Sequence, residues 1–112
     1  MVYNNNVTYK VKFYKDTKNY NSPVLDYIEN LRDKEKAKIL KYIDFLRINK
    51  GVLDEPFDFS KNRHRIFYFT FIGKNIILLH AFLKNTSKTP LSEIKKAEQN
   101  YYDVINKKDI YE

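Results

Sequence analysis

The chain has 112 residues, 43% of them hydrophobic, and carries 21 Lys and Arg against 14 Asp and Glu for a formal charge of +7. That length suits one domain with one core, the apolar share argues against general disorder, and the charge favours polyanionic partners over a neutral surface, a solvated lysine-rich exterior being the plainer alternative. The absence of cysteine excludes disulfides and thiolate chemistry, and two histidines without cysteine argue against a dedicated metal site.

No apolar run approaches the roughly 20 residues a membrane helix needs. The start, MVYNNNVTYK, lacks the apolar core of a signal peptide, so the reading is a cytoplasmic protein with no membrane partner and no cofactor. Ten tyrosines and eight phenylalanines are an excess that first fits a small core with a wet rim, the stacking of nucleobases being the second reading.

In chain order, residues 1–6 are asparagine-rich and expected to fray. Residues 7–14 alternate, with Val7, Tyr9, Val11 and Phe13 on one side and Thr8, Lys10 and Lys12 on the other, as in a strand with one buried face. Ser22-Pro23 reads as an N-cap with proline at the first helical position, and Val24, Leu25, Ile28 and Leu31 repeat at helical spacing over 23–31. A second helix follows, capped by Asp33, with its stripe at Ala37, Ile39, Leu40, Ile43, Leu46 and Ile48 and a C-cap expected at Gly51. The two helices should form a helical hairpin on the sheet. Pro56 argues against an internal strand over 51–60.

Residues 64–71 and 76–83 are rich in β-branched and aromatic side chains and flank Ile72-Gly73-Lys74-Asn75, a hairpin with glycine at its turn. In the first strand Arg63, Arg65, Phe67, Phe69 and Phe71 share one face, and His64, Ile66, Tyr68 and Thr70 the other. In the second, Ile76, Leu78, His80 and Phe82 alternate with Ile77, Leu79, Ala81 and Leu83, apolar on both faces and therefore central. Thr89-Pro90 repeats the cap signal ahead of a last helix whose stripe is Ile94, Ala97, Tyr101 and Val104, ending near Asn106. Residues 107–112 are expected to be loose.

The motifs of nucleotide hydrolysis, zinc catalysis and acyl transfer are absent, which leaves metal-free acid-base work on a phosphodiester. RNA carries its own nucleophile, the 2′-hydroxyl beside each phosphate, so a site needs only cations and proton-transferring groups. Arg65 is the candidate phosphate clamp because its planar fork matches two phosphate oxygens. Lys84 joins it, with Lys61, Arg63, His64 and Lys88 as further RNA contacts. His80 interrupts the run IILLHAF and is open to two readings, a hydrogen-bonded core histidine or an acid-base group facing a cleft. His64, beside two arginines, is either a base or an exposed strand residue.

Four stretches, VKFYKDTKNYNSPVLDYIENL, GVLDEPF, NRHRIFYF and above all LLHAFLKNTSKTPLSEIKKAEQ, resemble the HigB-like toxins of the phage-derived Gp49 type, within the RelE/ParE superfamily of type II toxin-antitoxin systems. Phe82, Lys84, Thr86, Lys88, Thr89, Pro90, Glu93, Ile94 and Ala97 carry the most specific part. The resemblance implies an α+β RelE-like domain spanning the chain, with two N-terminal helices and a C-terminal helix on a small antiparallel sheet. It implies a metal-independent endoribonuclease that cuts mRNA in the ribosomal A site and leaves a cyclic phosphate, neutralised by a helix-turn-helix antitoxin of the HigA-like kind. By position, Arg65 matches the strand arginine and Lys84 and Lys88 the basic residues of the Lys-Thr-Pro segment. Where relatives carry another strand between the stretches like GVLDEPF and NRHRIFYF, this chain passes almost directly from one to the other, so that strand is shortened, replaced by 58–61, or missing. An inactive RelE-fold module that sequesters an antitoxin or occupies the ribosome is the alternative, and a gyrase-directed ParE-like toxin a third.

Overall fold

The computed structural model describes residues 9–48, 64–71, 74–84 and 87–112. Strand β1 (Lys10–Phe13) leads to helices α1 (Pro23–Glu29) and α2 (Asp33–Ile48). Then come β2 (His64–Phe71), β3 (Asn75–Leu83), α3 (Leu91–Asn106) and a short α4 (Lys108–Tyr111). The expectations placed on residues 1–6, Gly51, Pro56, Gly73 and the segment 58–61 lie outside the described residues.

Local chemistry explains the helix starts. Ser22 Oγ accepts from the Leu25 amide at 3.3 Å and Pro23 opens α1, so one of the unpaired amides of the first turn is satisfied by a side chain. Asp33 is the first residue of α2 rather than its cap. At α3 the expected Thr89 cap is not formed: Pro90 itself is the N-cap, without a side-chain hydrogen bond, and its carbonyl accepts from the Glu93 and Ile94 amides. Tyr20, at φ 60°, closes the loop after β1 in the left-handed region that is strained for a residue other than glycine.

The sheet has the order β1-β3-β2, with β3 central as its two apolar faces require. The antiparallel expectation holds for β2 and β3 and fails for β1, which runs parallel to β3 with Lys10 opposite Asn75 and Phe13 opposite Leu78. The sheet is therefore mixed. A parallel neighbour needs a long crossover, and the helical hairpin between β1 and β2 lies within it.

Each face of β3 is covered by helices. On one, Ile76, Leu78 and Ala81 pack with Val24 and Ile28 of α1 and Ile39, Ile43 and Leu46 of α2. On the other, Ile77 and Leu79 pack with Tyr14, Val104 of α3 and Tyr111 of α4. Each side chain buried this fully contributes about 1.5–3 kcal/mol. The end of the chain, expected to be loose, is docked. Tyr111 is 5% exposed, its carbonyl accepts from Lys12 Nζ at 2.9 Å and Asn75 Nδ2 at 3.0 Å, and its hydroxyl accepts from the Lys15 amide at 3.1 Å.

Burial also shifts phenols. It pushes Tyr14, Tyr27, Tyr42, Tyr68 and Tyr111 above the ordinary tyrosine value, Tyr27 and Tyr42 to about 12. For Tyr14 a hydrogen bond donated to Asp103 Oδ2 at 2.7 Å adds to the rise, and that bond, with one from Lys107, holds the Asp103 carboxyl below the usual carboxylate range. A phenol whose pKa is raised by folding contributes stability that is intact below the unfolded value of about 10 and is lost as pH climbs through the folded one. In a spectrophotometric titration the tyrosinate signal of the native chain should therefore lag that of the chain in denaturant above pH 10, with the lag vanishing on unfolding. Superimposable curves would contradict the burial of these five rings.

Candidate functional site

The hairpin carries one irregularity, and the site depends on it. Pairing runs His64 to Leu83, Arg65 to Phe82, Ile66 to Ala81 and Phe67 to His80, then jumps so that Tyr68 faces Leu78 and Leu79 has no partner on β2. This β-bulge adds one residue to β3, and one extra residue inverts the side-chain alternation beyond it. Under strict alternation His80 and Phe82 would follow Leu78 toward α1 and α2. Instead Ala81 joins that layer, and His80 and Phe82 turn to the face carrying Arg65, Phe67 and α3.

The bulge is held by a side chain. Asn100 of α3 donates through Nδ2 to the Leu79 carbonyl at 2.8 Å. Asn100→Leu would orphan that carbonyl and is expected to destabilise the fold by about 1–3 kcal/mol. Urea unfolding would show it, and an unchanged midpoint would mean that the bulge stands without Asn100.

His80 is 8% exposed, and its Nε2 lies 2.6 Å from Glu93 Oε1. A carboxylate only accepts, so Nε2 carries the proton toward Glu93 and Nδ1 is the unprotonated nitrogen of the neutral ring. Its ring is stacked on Phe82 with centroids 6.0 Å apart, and Phe82 is stacked in turn on Phe67 at 5.7 Å. On its other side His80 lines a cleft of about 340 Å³ with Tyr14, Asp26 and Lys96. The two readings of His80 thus combine: it is a buried, hydrogen-bonded histidine that also borders a cleft.

Arg65 stands opposite Phe82, with its own guanidinium Nη1 donating to the His64 carbonyl at 3.1 Å. Its positive charge also reaches α2, where it pulls against the burial that raises Tyr42. Lys84 follows β3 two residues after Phe82 and is half-buried. Arg65 is therefore opposite Phe82 and diagonal to His80 on one face of the hairpin, a spacing of about 7–8 Å for such neighbours, and Lys84 lies one residue past the end of β3. Lys88 is exposed in the bend before α3, and Lys61 and Arg63 lie outside the described residues.

His64 is not an exposed strand residue. It is 2% exposed and faces the opposite layer, where Tyr27 of α1 lies 2.5 Å from Nδ1 and Glu35 of α2 lies 2.7 Å from Nε2. By the same reasoning Nε2–H donates to Glu35 and the Tyr27 hydroxyl donates to Nδ1. The partners Tyr27, Glu35, Glu93 and Asn100 were not singled out as site residues from sequence. Their distances along the chain from either histidine carry no motif, and Glu93 stood out only within the Lys-Thr-Pro resemblance.

Among the described residues there is no group of three or more His, Asp or Glu placed to hold a metal ion, and no helix long and apolar enough to cross a membrane. The profile of the family described as Phage derived protein Gp49-like (DUF891) matches residues 26–102, more than half of the chain, from within α1 through both strands of the hairpin and most of α3. No curated protein matches the chain.

Proposed function

The chain belongs to the phage-derived Gp49-like family, and on that premise we propose that it is the toxin of a type II toxin-antitoxin system, a metal-independent endoribonuclease acting on mRNA in the ribosomal A site. Family membership is consistent with a toxin-antitoxin protein in general. The observation that supports the finer reading is the register that sets Arg65 opposite Phe82 and diagonal to His80 on one face of a bulged hairpin, with Lys84 just past its end.

The chemistry follows from what each group can do. Arg65 and Lys84 hold the non-bridging oxygens of the scissile phosphate and stabilise the charge that builds there. The 2′-oxygen attacks phosphorus, the bond to the 5′-oxygen breaks, and a 2′,3′-cyclic phosphate and a free 5′-hydroxyl result. His80, fixed by Glu93 and unprotonated at Nδ1, takes or returns a proton as the reaction requires. His64, enclosed by Tyr27 and Glu35, supports Arg65 from beneath in this reading rather than touching RNA. Lys88, Lys61 and Arg63 add phosphate contacts along the strand. A small helix-turn-helix antitoxin of the HigA-like kind is the expected partner.

Induced expression should arrest growth, translating extracts should show mRNA cut at cyclic-phosphate ends, and co-expression of a helix-turn-helix protein encoded beside the toxin should restore growth. One observation favours the second reading, an inert module of the same fold: both histidines are buried and engaged by carboxylates. That reading requires tight antitoxin binding with mRNA left whole, so intact mRNA during growth arrest would displace the ribonuclease proposal.

A further inference from the structure

Beyond the cationic end of the hairpin, the row that begins at Arg65 continues along β2 through Phe67 and Phe69, and α3 lays Tyr101 and Tyr102 beside it. These rings border a groove of about 300 Å³ with Leu79 at its floor. Phe69 and Tyr101 meet edge to face at 4.8 Å, and Tyr101 and Tyr102 at 5.3 Å. Tyr101 is 36% and Tyr102 61% exposed, so both rings offer surface to solvent while their neighbours hold them in place.

We infer that this groove stacks one unpaired nucleobase of the RNA strand whose phosphate Arg65 and Lys84 hold; the inference rests on the ribonuclease reading above. Three observations single out a base as the occupant. The groove is continuous with the Arg65 row, so a strand clamped there has its next base beside Phe67 and Phe69. The chain carries a formal charge of +7, and exposed Lys95 lies two helical turns before Tyr102 on the same stripe of α3, a second cation for the backbone of that strand. Glu98, on the groove's rim, repels the acidic peptide that a basic protein would otherwise attract, yet accepts a hydrogen bond from the exocyclic amine of a base. Aromatic faces are the usual platform for single-stranded bases, and edge-to-face tyrosines leave the outer ring face open for one more layer.

The test is anisotropy with a labelled single-stranded oligoadenylate and a series of the same strand, each with one abasic ribose. The wild-type chain should lose about 5- to 150-fold in affinity when one particular base is removed. Tyr102→Ala should lose a similar factor on the intact strand and become indifferent to that abasic position. Tyr102→Phe, which keeps the ring, should match wild type, and Arg65→Ala should weaken every strand alike. Because Tyr102 is largely exposed, Tyr102→Ala should melt with wild type.

No saturable binding by the wild-type chain overturns the inference. So does Tyr102→Ala that binds the whole series as wild type does, or that weakens the antitoxin complex while leaving RNA binding unchanged, which would give the groove to a protein segment. The two readings fail separately. Base-specific coupling in a chain that cuts no mRNA would retire the nuclease and keep the groove, whereas mRNA cleavage unaffected by Tyr102→Ala would do the reverse.

Discussion

Arg65→Ala and Lys84→Ala are each expected to abolish growth arrest, with mRNA cleavage in a translating extract falling about 100- to 1000-fold, the usual cost of removing one charge-stabilising donor from a preorganised site. Arg65 is placed by β-sheet register, and Lys84 by its position one residue beyond β3. Arg65 sits opposite Phe82, and Lys84 follows Phe82 by two residues in sequence, just past the end of β3. Arg65→Lys should recover only part of the loss, because an ammonium keeps the charge without the planar fork that grips two oxygens at once. Neither side chain is part of the two apolar clusters, so each variant should melt near wild type, which separates a lost site from a lost fold. Full toxicity in both variants would remove Arg65 and Lys84 from the reaction.

The largest effect on stability is expected at the other histidine. His64→Ala should cost about 2–4 kcal/mol, because it removes a buried ring together with its hydrogen bonds to the half-buried Tyr27 and Glu35 in one step. The ring joins three elements: β2 through its backbone, α1 through Tyr27 and α2 through Glu35. Tyr27 and His64 also meet edge to face at 5.6 Å, so packing is lost along with the hydrogen bonds. Urea unfolding should show a lower midpoint at an unchanged slope. His64→Ala and Glu35→Ala combined should cost less than the sum of the two, since each single change already removes the hydrogen bond they share. Additive losses would mean that the pair does not act as a unit.

The cations proposed for the site can be picked out from the sequence, but the contacts that surround the two histidines cannot. Arg65 and Lys84 were identified from charge, from their places at strand ends, and from the resemblance in the Lys-Thr-Pro segment. His80 could be noticed as a polar interruption of IILLHAF, but its partner could not. Glu93 lies thirteen residues on, across a turn and into a helix, and only the packing of α3 on β3 brings the two together. For His64 the sequence offers a base or an exposed strand residue, and neighbouring charge is its only guide, whereas the ring is buried. Its true surroundings come from Tyr27 and Glu35, which lie 37 and 29 residues away in sequence.

By itself the sequence determined which elements form and of what kind. Period-two and helical spacing marked β1, the hairpin and the first three helices, the two apolar faces of residues 76–83 marked a central strand, and composition indicated a basic chain. Tertiary structure decided the direction of β1 against β3, the docking of the tail through Tyr111, and above all which way His80 faces. The strand code has a period of two, so a single unpaired residue reverses every face beyond it, and that residue is Leu79, which looks like any other leucine in the run. Whether it is paired is a property of two strands and of Asn100 on a third element. The bulge therefore lay beyond any reading of one stretch, and it is what brings His80 and Phe82 to the side of Arg65.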